Sequence, residues 1–384
     1  MDAPPLRFDR HELAGAVADL GVLVPIAVAL IVKNGLSPTA VLLPAGLLYL
    51  VVAAVYRLPV PVQPLKALGA IAIAKGLGSD EIAAAALLIG AIFLVLGRLR
   101  LLDFAGRAFP RALIRGVQLT VGLLFLKIAW KLVDDTPKSF ADHVHGARWE
   151  IPLALVVVAL AFALRRRPIS LALVAAGAIV MAWRAGHVSL GPSALVFPHL
   201  DGHVFWTAFT VLALPQIPLS FANSCLATAD AAKTYFGDAA QRVRPNRLAT
   251  TLGLANLFSG AISGMPVCHG AGGMTAHVKF GARTAGAPIA IGTALLVLAV
   301  AVGSGLATLL GAFPVAILAG LLATAGLLHI ALLRDLRGAR EWALALLVGV
   351  LGFAVNLALA VALGLALYWL TRGARALRPA LASR

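Results

Sequence analysis

The sequence reads VPVQPLK at residues 60–66 and MPVCHG at residues 265–270, and these two stretches decide the fold. Proline lacks a backbone N–H and restricts the residue before it, so no α-helix continues through residues 59–64 or through Pro266. Each stretch is followed at once by a short segment rich in Gly and Ala. We therefore predict two helices that begin abruptly, each after an extended segment.

The surrounding composition is that of a membrane protein. Of the 384 residues, 61% are hydrophobic and only 12% are charged, and the mean hydropathy is +0.94. A soluble domain has about 25% charged residues, so the composition excludes a soluble enzyme, a disordered protein and a fibrous repeat. The polar N-terminus gives no sign of a cleavable signal peptide. Two cysteines, Cys225 and Cys268, are too few for a disulfide framework or a metal cluster.

Apolar stretches recur from end to end and predict an all-α polytopic membrane protein with about 14 transmembrane segments. The two proline-led segments are the third and the tenth, and each is shorter than the ~20 residues that a full crossing needs. The predicted segments are 12–32, 37–56, 65–75, 82–97, 112–133, 151–164, 168–184, 204–229, 247–263, 270–283, 286–303, 306–333, 342–355 and 357–371.

The distribution of positive charge supports this topology. With the N-terminus inside, 24 of the 32 Lys and Arg residues fall on the cytoplasmic side and 7 outside, with Lys66 near the midplane. The outside then has no net charge, so the whole excess of +16 is a topology signal and not a nucleic-acid surface. Residues 342–371 are predicted to be a hairpin that breaks near Gly352–Asn356, because a single helix would carry the basic tail outside.

Each half has seven spans. Because seven is an odd number, the second half starts on the opposite side of the membrane and is inverted relative to the first. The predicted repeats are residues 1–186 (spans 1–7) and residues 204–384 (spans 8–14). In this arrangement spans 3 and 10 are discontinuous half-helices whose N-termini face each other, and paired broken segments of this kind mark the binding site of a transporter. Unpaired backbone cannot face lipid, so both ends border protein or a cavity. Their N–H groups and positive dipole ends predict an anion site.

Polar residues within the spans are the candidates for function. Gly270 and Gly272 would let an oxyanion approach the backbone closely. His269 would donate to the anion, carry a proton or cap the half-helix as a neutral donor. Lys66 would add positive charge at the site or balance Asp19. Asp19 itself would couple protons, pair with a cation or hold the first span to its neighbours.

The eighth span contains PQIPLSFANS at residues 215–224, where two prolines predict a distorted helix. Gln216 and Asn223 would hydrogen-bond either a polar substrate or a neighbouring helix. Cys268 is interpreted as a small packing residue and not as a reactive thiol or metal ligand. Packing roles are also expected for the other intramembrane polar residues Asn256, Ser259, His329 and Asn356.

At these motifs the sequence resembles the molybdate transporters that are related to the SulP sulfate permeases. The resemblance covers about residues 9–335. The blocks that carry it are DLG at 19–21 with Pro25, PVQPLKA at 61–67, PQIPL at 215–219 with Asn223 and Ser224, MPVCHGAGG at 265–273, and FGAR at 280–283.

The resemblance implies a fold of two inverted seven-span repeats with a core domain that holds the substrate (residues 12–103 and 204–303). A gate domain would be formed by residues 111–186 and 306–371. About a dozen residues follow the last span, so no cytosolic C-terminal regulatory domain is expected. The substrate would lie between the N-termini of spans 3 and 10, flanked by spans 1 and 8, against side chains or backbone N–H groups of Gln63, Cys268, His269, Gly270 and Ala271.

The expected function is secondary transport of a tetrahedral oxyanion, with molybdate as the first candidate and alternating access as the mechanism. Tungstate and sulfate share its charge and shape and remain open. Same-fold alternatives are carriers of sulfate, bicarbonate or a nucleobase, although spans 8 and 10 lack the acidic residues that a nucleobase carrier should have at the matching positions. An anion channel and an intramembrane enzyme are the alternatives from other classes, but no nucleophile–base or metal constellation supports an enzyme. We expect the cytoplasmic membrane of a prokaryote, cytoplasmic termini, no cofactor and no nucleic-acid partner, and a homodimer remains open.

Overall fold

The structure, a computed structural model, describes residues 4–16, 20–102, 109–136, 140, 146–163 and 169–382. This part is helical almost throughout and contains one pair of two-residue strands. The elements are α1 Arg10–Ala16, α2 Leu20–Asn34, α3 Pro38–Tyr56, β1 Gln63–Pro64, α4 Lys66–Lys75, α5 Ser79–Arg98, α6 Arg111–Asp134, α7 Ala147–Ala163, α8 Ile169–Arg184, α9 Gly202–Arg242, α10 Pro245–Ala261, β2 Val267–Cys268, α11 Ala271–Lys279, α12 Gly286–Ala301, α13 Gly303–Gly311, α14 Val315–Ile330, α15 Gly338–Ala354 and α16 Leu357–Ala382.

Each of the fourteen predicted stretches contains a helix, but the helices differ widely in length. Among the described residues, five helices are long and apolar enough to cross a membrane by themselves, and six if α12 and α13, which meet at 95°, form one span. The helices α4 and α11 have only 10 and 9 residues, about 15 Å each, or roughly half of a ~30 Å hydrocarbon layer. The two half-helices are therefore confirmed, whereas the count of fourteen crossings stays a prediction.

The predicted segment 306–333 is wrong as a single helix. The structure ends α13 at Gly311 and begins α14 at Val315, because Pro314 stands at the N-cap of α14 with extended backbone. The hairpin predicted within 342–371 is confirmed, since α15 ends at Ala354 and α16 begins at Leu357.

Helices from the first half of the chain pack against helices from the second half. The second span, α3, packs along the eleventh, α12, and the fourth span, α5, packs in the same way along the ninth, α10. The helix α6 packs against α14 and α15, while α14 also packs against α7. Each contact between the halves thus has a counterpart with the roles of the halves reversed, as an inverted repeat requires.

The contact between α5 and α10 is a seam of glycines. A Cβ atom at Gly253 would lie 2.6 Å from the backbone nitrogen of Leu94, and one at Gly90 would lie 2.7 Å from that of Leu257. Gly97 and Gly260 approach the opposite backbone equally closely. Small residues allow membrane helices to pack backbone against backbone, so these two helices form one rigid unit.

The short helix α1 holds the far end of the half-helix α11. The Glu12 carboxylate is buried, and its Oε1 accepts the N–H groups of Arg283 at 2.8 Å and Thr284 at 2.9 Å. Gly15 lies directly against Ala282. No motif in the sequence signals this contact, which lies at the start of the first predicted segment.

The glycine seam predicts a position-dependent effect of a single methyl group. Gly253→Ala should lower the free energy of unfolding by about 1–3 kcal/mol, because the new Cβ overlaps the backbone of α5. Gly202→Ala is the matched control, since nothing lies within 4 Å of its Cβ position. Thermal unfolding of both purified variants in detergent measures the difference, and an equal effect of the two substitutions would contradict the seam.

Candidate functional site

The two proline-containing segments meet as an antiparallel ribbon in the buried interior. Gln63 of β1 lies opposite Cys268 of β2, and Pro64 lies opposite Val267. The N–H of Leu65 donates to the carbonyl of Pro266 at 3.0 Å. Prolines prevent these segments from forming helical hydrogen bonds, and lipid offers no substitute. Each broken segment therefore supplies hydrogen-bond partners to the other.

The free edge of β2 is satisfied by Asn256 of α10. Its Nδ2 donates to the Val267 carbonyl at 2.7 Å, and its Oδ1 accepts the Val267 N–H at 2.9 Å. The amide thus replaces a third strand, which agrees with the packing role predicted for Asn256. Loss of this side chain would leave two backbone groups unpaired in a dry interior.

The N-terminus of α4 is partly capped by Gln216 of α9. The Oε1 of Gln216 accepts the N–H of Leu68 at 3.0 Å, while its Nε2 donates to Ser220 at 2.9 Å. In the described part of the chain, the N–H groups of Lys66 and Ala67 have no acceptor. Gln216 therefore lies at the predicted site, but its amide binds the protein in this conformation.

The N-terminus of α11 is more open. The N–H groups of Gly273 and Met274 both donate to the Gly270 carbonyl, at 2.9 and 3.2 Å. Those of Ala271 and Gly272 have no acceptor among the described residues. Gly272 is exposed and nothing lies within 4 Å of its Cβ position. This end of α11 therefore has two backbone donors without a partner among the described residues, next to an exposed glycine.

Lys66, Gln63 and Gly270 form a compact cluster between the two half-helices. The Nζ of Lys66 donates to Oε1 of Gln63 at 2.7 Å, and their exposed fractions are only 8% and 2%. A Cβ at Gly270 would lie 2.1 Å from that oxygen and 3.4 Å from Nζ. Within the described residues no carboxylate oxygen lies within 4.0 Å of the ammonium group. Only glycine at 270 leaves room for this arrangement.

His269 is completely buried and both of its ring nitrogens have partners. Nδ1 lies 3.0 Å from the carbonyl of Pro61, which can only accept, so Nδ1 carries the proton. In the neutral ring Nε2 then accepts from the Thr251 hydroxyl at 2.9 Å, and Thr251 in turn accepts from Tyr56 at 2.7 Å. A substrate would find no free ring nitrogen in this conformation.

The chain Tyr56–Thr251–His269–Pro61 joins α3, α10 and both proline-containing segments. Tyr56 also stacks edge-on against the imidazole, with ring centroids 6.1 Å apart. Sequence reasoning identified His269 but missed Tyr56 and Thr251, since neither lies in a distinctive motif. A tyrosine and a threonine near helix ends have many ordinary roles.

The distorted helix α9 borders the same cluster. It takes π-helical turns over Ala208–Ala213 and Ser220–Ala227, on either side of the stretch that contains both prolines. Asn223 lies in the second of these turns and is half-buried. The Thr228 hydroxyl lies 2.9 Å from the Asn223 carbonyl and 3.1 Å from the His269 carbonyl. Thr228 thus links the turn that contains Asn223 to the residue that follows β2, and the role of the Asn223 side chain stays a prediction.

The remaining predicted residues have different environments. The thiol of Cys268 is buried and donates to the carbonyl of Pro64 at 3.6 Å, and Cys225 is buried as well. Asp19 lies outside the described residues. The structure therefore brings together Gln63, Lys66, Gln216, Asn223, Cys268, His269, Gly270, Ala271 and Gly272 around the ribbon and the two half-helix N-termini.

This arrangement of half-helices within a bundle of apolar helices defines a multi-pass membrane protein of a known transporter fold. The transmembrane domain of the cyanobacterial bicarbonate transporter BicA matches with a TM-score of 0.67 at 19% identity, over 94% of this chain and 99% of that one. Murine Solute Carrier 26 family member A9, an anion transporter solved in its inward-facing state, matches with a TM-score of 0.69 at 14% identity, over 97% of this chain and 69% of that one. At these identities the likeness concerns the fold alone.

Sequence comparison gives the family. A family model described as "Molybdate transporter of MFS superfamily" matches residues 11–125 and 208–328, more than half of the chain, and the chain belongs to this family. Molybdate transporter 1 of Arabidopsis thaliana is 29% identical over 361 residues, covering 83% of this chain and 79% of the relative. Molybdate transporter 1 of Chlamydomonas reinhardtii is 29% identical over 452 residues, covering 88% and 86%.

The hydrogen-bond chain through the buried His269 predicts a large difference in stability between substitutions at two threonines. Thr251→Val removes the donor to His269 and the acceptor of Tyr56, and should cost about 1–3 kcal/mol in unfolding free energy. Thr234→Val is the control, because that exposed hydroxyl donates to the Asp230 carbonyl of its own helix. Thermal unfolding measures both, and equal stability of the two variants would show that the chain contributes nothing.

Proposed function

We propose that the protein is a secondary active transporter of molybdate. The observation that carries this proposal is the pair of half-helix N-termini, where the ammonium group of Lys66, at the start of α4, lies close to Gly270, the N-cap of α11. A tetrahedral dianion suits such a site, since several donors and one cation can surround it without a full set of basic ligands. The names of the plant and algal relatives support molybdate as the particular oxyanion.

The binding groups fall into two sets. We assign direct contact to the N–H groups of Ala271 and Gly272, to Lys66 with Gln63, and to the Asn223 amide. Gln216, Cys268, His269 and Gly270 hold the ribbon and the half-helices in place, since their polar groups are engaged by protein or their lack of a side chain makes room. Asp19 stays a candidate for proton coupling.

Alternating access would come from movement of a core domain against a gate domain. The core domain, residues 12–103 and 204–303, contains both half-helices and the glycine seam. The gate domain, residues 111–186 and 306–371, contains the mutual contacts of α6, α14, α15 and α7. Tight packing within each group supports rigid-body motion.

The asymmetry of basic residues favours cytoplasmic termini, and we propose the cytoplasmic membrane of a prokaryote as the location.

Labelled molybdate uptake into proteoliposomes tests the proposed function. We expect saturable uptake that unlabelled molybdate inside the vesicles accelerates, as a carrier requires and a channel does not. Sulfate is the competitor of interest, because it shares the charge and shape of molybdate. Uptake of sulfate without uptake or binding of molybdate would overturn the assignment in favour of a sulfate carrier.

Lys66 should contribute strongly to substrate affinity. A hydrogen bond to a charged group is worth about 1.5–3 kcal/mol, so Lys66→Gln should raise KM for molybdate about tenfold to a hundredfold. Lys75→Gln removes the same charge from the other end of α4 and is the control. An unchanged KM in the Lys66 variant, with uptake intact, would remove Lys66 from the site.

Gly270→Ala tests the cluster in a different way. The new Cβ would displace the Gln63 amide and disturb the ammonium group beside it. We expect loss of most molybdate binding in isothermal titration, while thermal unfolding shows a folded protein. Binding at the wild-type level would mean that the geometry of Gln63 and Lys66 is irrelevant to the substrate.

A further inference from the structure

A second polar cavity lies at the end of the bundle where α2 and α6 finish, which the charge pattern assigns to the outside. We call it the outer cavity; its volume is about 340 Å³, room for about ten waters. None of the site residues described above lines it. Its polar groups include Lys33 of α2, Lys131 of α6 and Asp135, the residue directly after α6.

The outer cavity lies across the boundary between the two proposed domains. Lys33 and Ile73 come from α2 and α4 of the core domain, whereas Lys131, Ile128 and Leu318 come from α6 and α14 of the gate domain. Asn34 beside Lys33 donates to the carbonyls of Ala72 and Leu77, at 3.0 and 2.8 Å, which ties the end of α2 to the end of α4. Lys33 therefore moves with the half-helix α4, and Lys131 moves with the gate.

The charge in the outer cavity is positive. Two ammonium groups share it with one carboxylate, and in the described part of the chain neither lysine has a carboxylate oxygen within 4.0 Å. Both lysine side chains are exposed. By contrast, the outer side as a whole has no net charge on the predicted topology. A dianion approaching this end is therefore attracted to the outer cavity.

The cavity lining includes buried apolar residues from both proposed domains. Ile73, Ile128 and Leu318 are all buried, with at most 2% of their surface exposed. Ile73 lies seven residues beyond Lys66 on α4, about 10 Å along the axis. A hydrated dianion cannot pass between such residues without losing its water, so it would remain between the two lysines until the domains separate at this end.

We propose that the outer cavity is a capture site for the transported oxyanion, held between Lys33 of the core domain and Lys131 of the gate domain. This proposal rests on the proposed function, because it takes the ligand to be the same tetrahedral dianion. The site collects substrate from the outside at the domain boundary, next to these buried apolar residues. Asp135 weakens the attraction and keeps occupancy short.

The test compares the double variant Lys33→Gln/Lys131→Gln with Lys127→Gln in proteoliposomes. Lys127 lies one turn before Lys131 on α6 but sits over the Phe353 ring at 5.8 Å, and it lines a different cavity together with Lys75. This control therefore tests whether capture belongs to the outer cavity in particular or to any pair of lysines at this end. At ~20 mM salt the double variant should show kcat/KM for molybdate uptake about tenfold lower than wild type. The difference should vanish near 0.5 M salt, where the Debye length is about 4 Å. Lys127→Gln should stay within about twofold of wild type, and Asp135→Asn should raise kcat/KM.

Two further measurements separate capture from a structural role. Equilibrium affinity for molybdate in detergent and the thermal unfolding temperature should be unchanged in the double variant, because the central site is intact. A double variant that behaves like Lys127→Gln, or whose defect persists at high salt, would overturn the capture site while leaving molybdate transport standing. Absence of molybdate uptake by the wild-type protein would overturn both proposals together.

Discussion

A backbone that leaves the helical conformation inside a membrane must find every hydrogen-bond partner within the protein. Prolines 61, 64 and 266 impose that condition on two segments at once, and the ribbon of Gln63–Pro64 and Val267–Cys268 is where it is met. The rest of the central structure follows from completing this ribbon. Four side chains each bind a backbone group of the ribbon, of the residues that flank it or of the adjacent half-helix: Asn256, Gln216, Thr228 and His269.

The groups available to a ligand are therefore the hydrogen-bond donors that have no acceptor within the described structure. The first N–H groups of each half-helix, at Lys66 and Ala67 and at Ala271 and Gly272, remain without acceptors in the described structure. They resemble each other because the two halves are related by inversion. They differ in surroundings, since α4 begins beside a buried ammonium group and α11 begins at an exposed glycine. The positive charge of the site is thus carried by one half alone.

The sequence predicted the parts of the structure that depend on local chemistry. Prolines and short Gly/Ala-rich segments located both half-helices, and the distribution of basic residues located the hairpin at residues 342–371. The sequence did not predict contacts between segments that lie far apart along the chain. Tyr56 and Thr251 reach His269 only because α3 and α10 converge there, and no spacing along the chain signals that. His269 is the instructive residue: its motif marked the right place, but only the fold reveals that protein atoms occupy both ring nitrogens. The break at Pro314 was missed because the apolar character continues across it.

The fold also clarifies a label. The family description contains the name of the MFS superfamily, yet the structure matches the BicA and Solute Carrier 26 domains over nearly the whole chain. Helices of one half pack along helices of the other half: α5 packs along α10, and α3 packs along α12. Motion between domains then cannot follow the boundary between the sequence halves, because each proposed domain is assembled from both.

The burial of both cysteines has a practical consequence. Cys225 and Cys268 have at most 3% of their surface exposed, so membrane-impermeant thiol reagents have no ready target in the folded chain. The wild-type protein can accordingly serve as its own background for single-cysteine labelling, with no need to replace native thiols. A cysteine introduced along either face of the domain boundary would report, by its rate of modification, which end of the path is open to water.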